Sequence, residues 1–410
     1  MTDGPLSHLR VLDLSRILAG PWSSQLLGDL GAEVIKVERP GRGDDTRGWG
    51  PPFMAAADGS GTRESAYFLA ANRNKRSIAV DITTDSGADL VRDLAAKSDI
   101  VLENFKVGGL AKYGLDYASL AGRNPRLIYC SITGFGQTGP YAARAGYDFM
   151  IQAMGGLMSV TGEPDGHPGG GPVKVGVALA DVMTGLYATI GALAALAHRD
   201  RTGQGQHIDL ALMDVQVAAL ANQAMNYLVT GTAPGRLGNA HPNIVPYQAF
   251  ATGDGHIVLA VGNDDQFRRF AVEAGFPAWA NDARFATNPG RVANRADLIP
   301  LVAHTIATRT TDQWIAALER VGVPCGPINT LDRVFADPHV VDHGLHQVVT
   351  HPRLGPVPTV ANPLRLSATP VTYRDAPPDL GADTDRVLGK VLGLAADQIA
   401  GLRSTGVIGP

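Results

Sequence analysis

The chain has 410 residues, 45% of them hydrophobic and 18% charged, a length that favours two domains and a composition that excludes a disordered chain. A net charge of −4 gives no basic surface for nucleic acid, so we expect small-molecule ligands and no nucleic-acid partner. The N-terminal residues lack the pattern of a secretion signal, and the longest apolar run, residues 185–197, is too short to span a bilayer. These features predict a cytoplasmic protein with no membrane partner.

The sequence predicts neither a disulfide framework nor a metal site. The two cysteines, Cys130 and Cys325, are isolated from each other and from other ligand residues. His339, His343 and His346 have spacing compatible with metal ligation, but no carboxylate is arranged to support them. We therefore expect these histidines to lie in a surface loop.

The first forty residues have the pattern of a strand, a helix and a second strand. LRVLDLS and AEVIKVER are short apolar runs typical of buried strands, and PWSSQLLGDLG between them has Pro21 at its start and Gly31 at its end. The unit lacks the G-x-G-x-x-G motif, which disfavours a standard NAD site. Arg39 follows the second strand, where it suits either the phosphorylated ribose of coenzyme A or NADP, or an ordinary surface position.

Two basic segments follow. The loop RPGRGDDTRGWGPPF contains Arg47 and Trp49, the residues in it that have chemistry to offer a substrate. YFLAANRNKRSIAVD then predicts a helix, a basic turn and a strand. In that turn, Asn72, Lys75 and Arg76 either contact a phosphate or satisfy the carbonyl groups at the end of the helix.

Strand and helix patterns alternate as far as Gly139, which predicts an α/β fold with a parallel sheet and ligands at the carboxyl ends of its strands. The turn Glu103-Asn104-Phe105 and the turn from Thr133 to Gly136 follow two of these strands. The backbone N–H groups of the second turn, which contains Gly134 and Gly136, are candidates for stabilising an oxyanion.

Asp181 lies where a glycine-rich loop gives way to an apolar helix. The small and apolar residues from Val182 to Ala197 predict a central, buried helix. One interpretation of Asp181 is a simple N-cap. The other is an ionised nucleophile whose charge is stabilised by unpaired N–H groups and the positive end of the helix dipole.

The composition and pattern of the sequence change past Gly231. A proline- and glycine-rich linker leads to the hairpin pattern YQAFATGDGHIVLAVG, in which Asp254-Gly255 is a turn signal, and then to helical patterns. We predict a small α+β domain at residues 230–325 and a large domain formed by residues 1–229 and 326–410.

Eight segments together resemble the class III coenzyme A transferases and their racemase relatives. The resemblance covers nearly the whole chain, and the order of the segments makes it specific. The segments are VLDLSRILAGP, LGDLGAEVIKVERP, GDDTRGW, NRNKRSIAVD, ENFKVGGLAKYGLD, GYDFMIQAMGG, ALADVMTGLYATIGALAALAHRDRTGQGQHIDLALMD and PYQAFATGDG.

The resemblance implies a Rossmann-like large domain built from both chain ends, a smaller domain between them, and a homodimer of interlocked chains. It implies that Asp181 is the nucleophile of a transferase that uses coenzyme A thioesters as substrates and no prosthetic group. The implied coenzyme A contacts are Leu18, Ala19, Arg39, Asn104, Phe105 and Lys112.

Departures from relatives narrow the prediction. Leu18 replaces a glutamine of formyl-CoA transferase, and AVGNDDQF replaces a run of glycines, so oxalate is not the expected acceptor. Tyr147 replaces the histidine that racemases use, and a phenol is a poor proton carrier near neutral pH. Tyr147 is left to donate a hydrogen bond, wall the pocket or simply pack. Transfer is therefore favoured over racemisation and over simple NADP binding.

The predicted preference for a dicarboxylic substrate is based on Arg47. A guanidinium suits the second carboxylate of a dicarboxylic donor such as succinyl-CoA, because it can bind a carboxylate through two parallel hydrogen bonds.

Overall fold

The computed structural model describes residues 4–409, which form two compact units. The first contains the residues up to Leu157, Val175–Ala224, and the residues from His339 onward; the second contains Met158–Lys174 and Met225–Pro338. The domain boundaries predicted from the sequence stay a prediction.

A six-stranded parallel sheet organises the first unit, as the predicted α/β class requires. Its order is β3-β2-β1-β4-β5-β6, and every neighbouring pair is parallel. In this order the chain reverses direction across the sheet between β1 and β4, which is where open α/β sheets bind ligands. The strands are β1 (Arg10–Asp13), β2 (Glu33–Glu38), β3 (Lys75–Ala79), β4 (Ile100–Glu103), β5 (Ile128–Thr133) and β6 (His207–Ala211).

Helices and short 3₁₀ turns lie between and after these strands, and two of the helices, at residues 157–160 and 221–230, extend into the second unit. The helices are α1 (Ala19–Asp29), α2 (Ala66–Ala70), α3 (Asp85–Ala96), α4 (Tyr117–Arg123), α5 (Asp148–Met154), α6 (Leu157–Val160), α7 (Leu179–Thr202), α8 (Leu212–Ala219) and α9 (Ala221–Thr230). The 3₁₀ turns are Asp45–Gly48 and Ala111–Tyr113. The long helix predicted after β6 is divided into α8 and α9, where Ala221 has a φ of 45°.

Alternating residues of the strands contribute their side chains to two apolar cores, one on each face of the sheet. Val11 and Val34 belong to the core that contains α1 and α7, whereas Leu12 and Ile35 belong to the core that contains α3 and the C-terminal helices. The strands are thus apolar on both faces, which is why they read as continuous hydrophobic runs.

Helix α7 packs closely against α1 on one side only. A Cβ added to Gly185 would lie 2.7 Å from the carbonyl oxygen of Ala19, and the Ser23 and Thr189 hydroxyls are hydrogen-bonded at 3.0 Å. Its other face exposes apolar side chains, including Ile190 at 59%. The helix predicted to be central and buried is therefore buried on one face and exposed on the other in the single chain.

The prediction that the apolar segment around residues 185–197 is too short to span a bilayer is wrong. The 24-residue α7 is long and apolar enough, by length and composition, to cross a membrane, and it is alone in this within the described part of the chain. The core helix of a globular protein satisfies the same criterion, and 44% of the apolar window of α7 is buried. Its length therefore gives no sign of membrane insertion.

The C-terminal segment joins the first unit without adding a strand to the parallel sheet. It contains β10 (His346–His351) and β11 (Gly355–Val360), which form an antiparallel hairpin, then α16 (Thr384–Val387), a π-helical turn (Leu388–Leu392) and α17 (Ala396–Ser404). Backbone hydrogen bonds tie it down, from Asn74 N–H to the Asp375 carbonyl and from Asp383 N–H to the Ser77 carbonyl.

The second unit combines a three-stranded antiparallel sheet with helices, and the predicted hairpin around Asp254-Gly255 is confirmed by the pairing of β7 with β8. Trp314 is fully buried in its core. The elements are β7 (Tyr247–Ala251), β8 (His256–Ala260), α10 (Asp264–Glu273), a 3₁₀ turn (Pro277–Asn281), α11 (Asn288–Ala293), α12 (Arg295–Ile306), α13 (Thr311–Arg320), β9 (Cys325–Pro327) and α14 (Leu331–Ala336). Helix α15 (Pro338–Asp342) follows.

Candidate active site

A cavity of about 540 Å³ opens at the carboxyl ends of the parallel strands. Leu14 follows β1 and Asn104 follows β4, so the cavity lies at the reversal point of the sheet. The structure brings together around it nine of the residues singled out in the sequence: Leu18, Ala19, Arg39, Asn104, Phe105, Lys112, Gly134, Tyr147 and Asp181.

Hydrogen bonds across the cavity floor hold the turns that follow β1 and β4. The side chain of Asn104 accepts from the backbone N–H of Arg16 at 2.9 Å and donates to its carbonyl at 2.7 Å. Ile17 has a φ of 73°, and its N–H lies 3.3 Å from both carboxylate oxygens of Asp44. These contacts place Leu18 and Ala19 at the start of α1.

Four cations on the cavity wall have no acidic partner among residues 4–409: Arg39, Lys106, Lys112 and Arg144. The Arg144 guanidinium lies over two aromatic rings, 5.3 Å from the centroid of Phe135 and 4.6 Å from that of Tyr141. Lys112 lies 4.6 Å from the ring centroid of Tyr113. An unpaired cation on a cavity wall is available to a phosphate or a carboxylate.

Asp181 lies in the first turn of α7 and faces this cavity. The N-cap of α7 is Ala178, so the interpretation of Asp181 as the helix cap is wrong. Within residues 4–409 no hydrogen bond to the Asp181 carboxylate is formed. The carboxylate is therefore free to meet a ligand.

Asp148, at the start of α5, takes the capping role. One of its carboxylate oxygens accepts from the N–H groups of Ala180 at 2.8 Å and Asp181 at 3.3 Å, and the other accepts from the Gln152 amide at 2.7 Å. The segments that carry Tyr147 and Asp181 are thereby joined.

The electrostatic expectation for Asp181 is also corrected. Burial, with a smaller contribution from the charge of Asp148, raises the pKa of Asp181 from 3.8 to about 7. The dipole of α7 was expected to favour the ionised form, but the first N–H groups of the helix point to Asp148 instead. Burial together with the Asp181 and Asp148 charges raises the pKa of nearby Tyr67 to about 12, so its phenol stays protonated.

The close approach of two loops explains the glycines of the β5 turn. A Cβ added to Gly134 would lie 2.6 Å from the Cα of Gly146, so a side chain there would push Tyr147 out of place. Gly136 has a φ of 86° and lies outside the cavity lining, where its N–H donates to the Thr133 hydroxyl at 2.9 Å.

The basic turn before β3 does not reach the cavity lining. The Lys75 ammonium is fully buried, where it donates to Asp13 at 3.2 Å and to the Asn72 side chain at 2.9 Å. Arg76 forms an ion pair with Asp375 at 3.0 Å. Their contact with coenzyme A stays a prediction, although each has a structural partner.

Arg47 and Trp49 likewise lie outside the lining. The Arg47 guanidinium is held by Glu38 at 2.7 Å and Glu64 at 3.1 Å, and it lies 3.8 Å from the ring centroid of Phe68. Trp49 is 45% exposed and packs edge-on against Tyr67. Arg47 has no vacant face for a substrate carboxylate in this arrangement.

Sequence reasoning missed several groups at the site. Lys106 and the segment 81–83 line the cavity, and their only signal was a position just past a predicted strand. Arg144 lies two residues before the quoted G-Y-D segment, and Asp148 lies within that segment. Pairing across distant segments is what gives Asp148 its role.

Comparison with known proteins identifies the family and its fold. The model of CoA-transferase family III matches residues 6–384. A succinate–glutarate CoA-transferase of Agrobacterium fabrum is 52% identical over 94% of this chain and 96% of its own length. The mouse succinyl-CoA:glutarate CoA-transferase is 45% identical over 98% of this chain and 90% of its own. A crystal structure of a CAIB/BAIF family protein from Brucella suis superposes with a TM-score of 0.83 at 52% identity, covering 95% of this chain and all of that one.

Proposed function

The chain belongs to CoA-transferase family III, and from this premise we propose that it moves coenzyme A from succinyl-CoA to a dicarboxylic acid of about the length of glutarate. It is a CoA-transferase that acts on thioester and carboxylate substrates. The observation that carries the proposal is an unpartnered carboxylate, Asp181, in a cavity walled by unpaired cations. The names of the two relatives that it resembles over nearly its whole length support the choice of acids.

The first half of the reaction transfers coenzyme A to Asp181. The Asp181 carboxylate attacks the thioester carbonyl; a C–O bond forms, the C–S bond breaks, and coenzyme A leaves as the thiolate. The product is a mixed anhydride. The thiolate then attacks the Asp181 carbonyl, which forms an aspartyl-CoA thioester and releases succinate as the C–O bond of the anhydride breaks.

The second half reverses these steps with the acceptor acid. The acceptor carboxylate attacks the aspartyl thioester and expels the thiolate, and the thiolate attacks the acceptor's carbonyl in the new anhydride. The new acyl-CoA leaves and Asp181 is regenerated as a carboxylate. Each step exchanges one acyl bond for another of similar reactivity, so no oxidant or reductant is needed and no net proton is consumed.

We assign the four unpaired cations of the cavity wall to two parts of the substrate, the coenzyme A group and the distal carboxylate. Arg39, Lys106 and Lys112 follow β2 and β4, so we assign them, with Asn104 and Phe105, to coenzyme A. Arg144 lies in the segment that leads to Tyr147 and has no acidic partner within the described range. We assign it the distal carboxylate of the diacid, in place of Arg47, which is already held by Glu38 and Glu64.

We further propose that the protein works in the cytoplasm as a homodimer, with interlocked chains. The exposed apolar face of α7, which includes Leu186, Ile190 and Leu193, supports a partner copy as its cover.

The proposed function is tested by incubating the protein with succinyl-CoA and isotope-labelled glutarate and following labelled glutaryl-CoA by mass spectrometry. Hydroxylamine added during turnover should convert Asp181 to a hydroxamate, detectable in the peptide that carries it. A screen of other acids identifies the preferred acceptor. The proposal fails if no labelled thioester forms with any dicarboxylic acid.

A further inference from the structure

Asp148 is fixed more firmly than a surface capping residue. Its two carboxylate oxygens accept three hydrogen bonds, from Ala180 N–H, Asp181 N–H and the Gln152 side chain. Gln152 is fully buried, and its amide oxygen accepts from Val175 N–H at 2.9 Å. Asp148 is thus held in place beside the first turn of α7 by three hydrogen bonds.

The position of Asp148 changes what the helix end does for Asp181. The N–H groups in the first turn of α7 are a natural source of anion stabilisation, and two of them are occupied by Asp148. The other charged side chains that line the same cavity are the cations Arg16, Arg39, Lys106, Lys112 and Arg144 and the acids Glu38, Asp44 and Asp81. Tyr67 of α2 is neutral near pH 7. The interaction with Asp148 is repulsive, and burial strengthens it.

Building on the CoA-transferase function proposed above, we propose that Asp148 is a positioning residue whose negative charge drives Asp181 toward its acylated forms. Both the anhydride and the aspartyl-CoA thioester place a neutral acyl group at position 181, so acylation relieves the repulsion between the two carboxylates. The same repulsion makes the free Asp181 carboxylate more basic and hence a stronger nucleophile. The three hydrogen bonds keep the Asp148 carboxyl group in place.

Two substitutions separate the charge of Asp148 from its hydrogen bonds. Asp148→Asn keeps an oxygen that can accept from the helix N–H groups and removes the charge, whereas Asp148→Ala removes both. Asp209→Asn is a matched control, because Asp209 also accepts from a backbone N–H, that of Gln137, but lies outside the cavity lining. The readouts are the pH profile of kcat/KM, the fraction of protein present as aspartyl-CoA thioester with saturating succinyl-CoA, and Tm.

For Asp148→Asn we expect the acid limb of the profile to move about one pH unit lower, because ionisation of Asp181 becomes easier. At pH 8 the rate should fall about tenfold, since the nucleophile is less basic, and the thioester fraction should fall with it. Asp148→Ala should show the same changes and also a lower Tm, because the helix cap is lost. Asp209→Asn should match the wild type in profile and thioester fraction.

An acid limb and a thioester fraction that are unchanged in Asp148→Asn would reduce Asp148 to a structural cap and overturn the inference. A wild-type protein that forms no thioester with succinyl-CoA would instead refute the proposed function. The two failures are distinguished by the wild-type measurement alone.

Discussion

Ionisable side chains of the first unit fall into two groups, those that have a partner of opposite charge and those that do not. Away from the cavity lining they are buried and paired, as in Lys75–Asp13 at 3.2 Å and Arg73–Asp29 at 2.6 Å. On the cavity wall, Arg39, Lys112 and Asp181 have no partner of opposite charge within residues 4–409. The residue types are the same in both regions, so the presence or absence of a charged partner is what distinguishes the two sets.

The physical reason is the cost of removing a charge from water. A fully buried ion folds only if a partner compensates its lost hydration, which is why Lys75 and Asp13 occur together. A cation on an open wall keeps much of its hydration and gives it up only when a phosphate or carboxylate arrives. Loss of a buried ion should therefore affect stability, and loss of a wall ion should affect catalysis or binding.

The largest expected effect is the loss of activity when Asp181, on the cavity wall, is replaced. Asp181→Asn should lower label exchange between succinate and succinyl-CoA by at least about a thousandfold, because the only proposed nucleophile is lost. Its Tm should not fall, since the Asp181 carboxylate forms no hydrogen bond within the described part of the chain. Exchange at the wild-type rate in this variant would remove Asp181 from the mechanism.

Among the buried ion pairs, Lys75→Met should lower the free energy of unfolding by about 3 kcal/mol or more, because Asp13 is left buried without its closest cation. Chemical denaturation measures this change. Lys112→Met is the matched control and should leave unfolding unchanged. Equal destabilisation by the two substitutions would contradict the distinction between the regions.

Lys112→Met should instead weaken coenzyme A binding. The loss of one charge-assisted contact is expected to raise KM for succinyl-CoA about tenfold, while kcat changes little. Steady-state kinetics tests this, with Lys97→Met, an exposed lysine outside the cavity lining, as the control. An unaltered KM would take Lys112 out of the site.

Arg144→Gln separates diacids from monoacids. We expect kcat/KM to fall about tenfold for glutarate and to change little for butyrate, because only glutarate offers a distal carboxylate. The ratio of the two values is the measurement, and Arg123→Gln, on the surface, is the control. An equal loss for both acids would place Arg144 on coenzyme A instead.

The smallest effect concerns stability and pH. Because the pKa of Asp181 is raised from 3.8 to about 7 in the folded protein, folding free energy is lost as pH rises from about 4 to about 7, where the unfolded chain is ionised at this position and the folded protein is still protonated. Below about pH 4 the carboxyl group is neutral in both the folded and unfolded states, so no such cost exists there. Relative to the wild type, Asp181→Asn should therefore gain stability between pH 4 and pH 8. A difference in Tm that is constant with pH would contradict this.

By itself, the sequence determined the α/β class, the hairpin around Asp254-Gly255 and the position of Asp181 at the start of a helix. It could do so because strands buried on both faces, turn residues and helix ends depend on neighbours only a few residues away. The resemblance of eight ordered segments added the family, and with it several of the residues that line the cavity.

Only the tertiary structure decided which polar residues of the described range have a charged partner and which line the cavity without one. Lys75 and Arg47 look as suitable for phosphate or carboxylate binding as Lys112 does, until Asp13 and Glu38 are found beside them. Asp148 and Asp181 are 33 residues apart in sequence, and their contact exists only because α5 and α7 meet. Burial and charge pairing depend on distances through space, which a linear pattern does not contain.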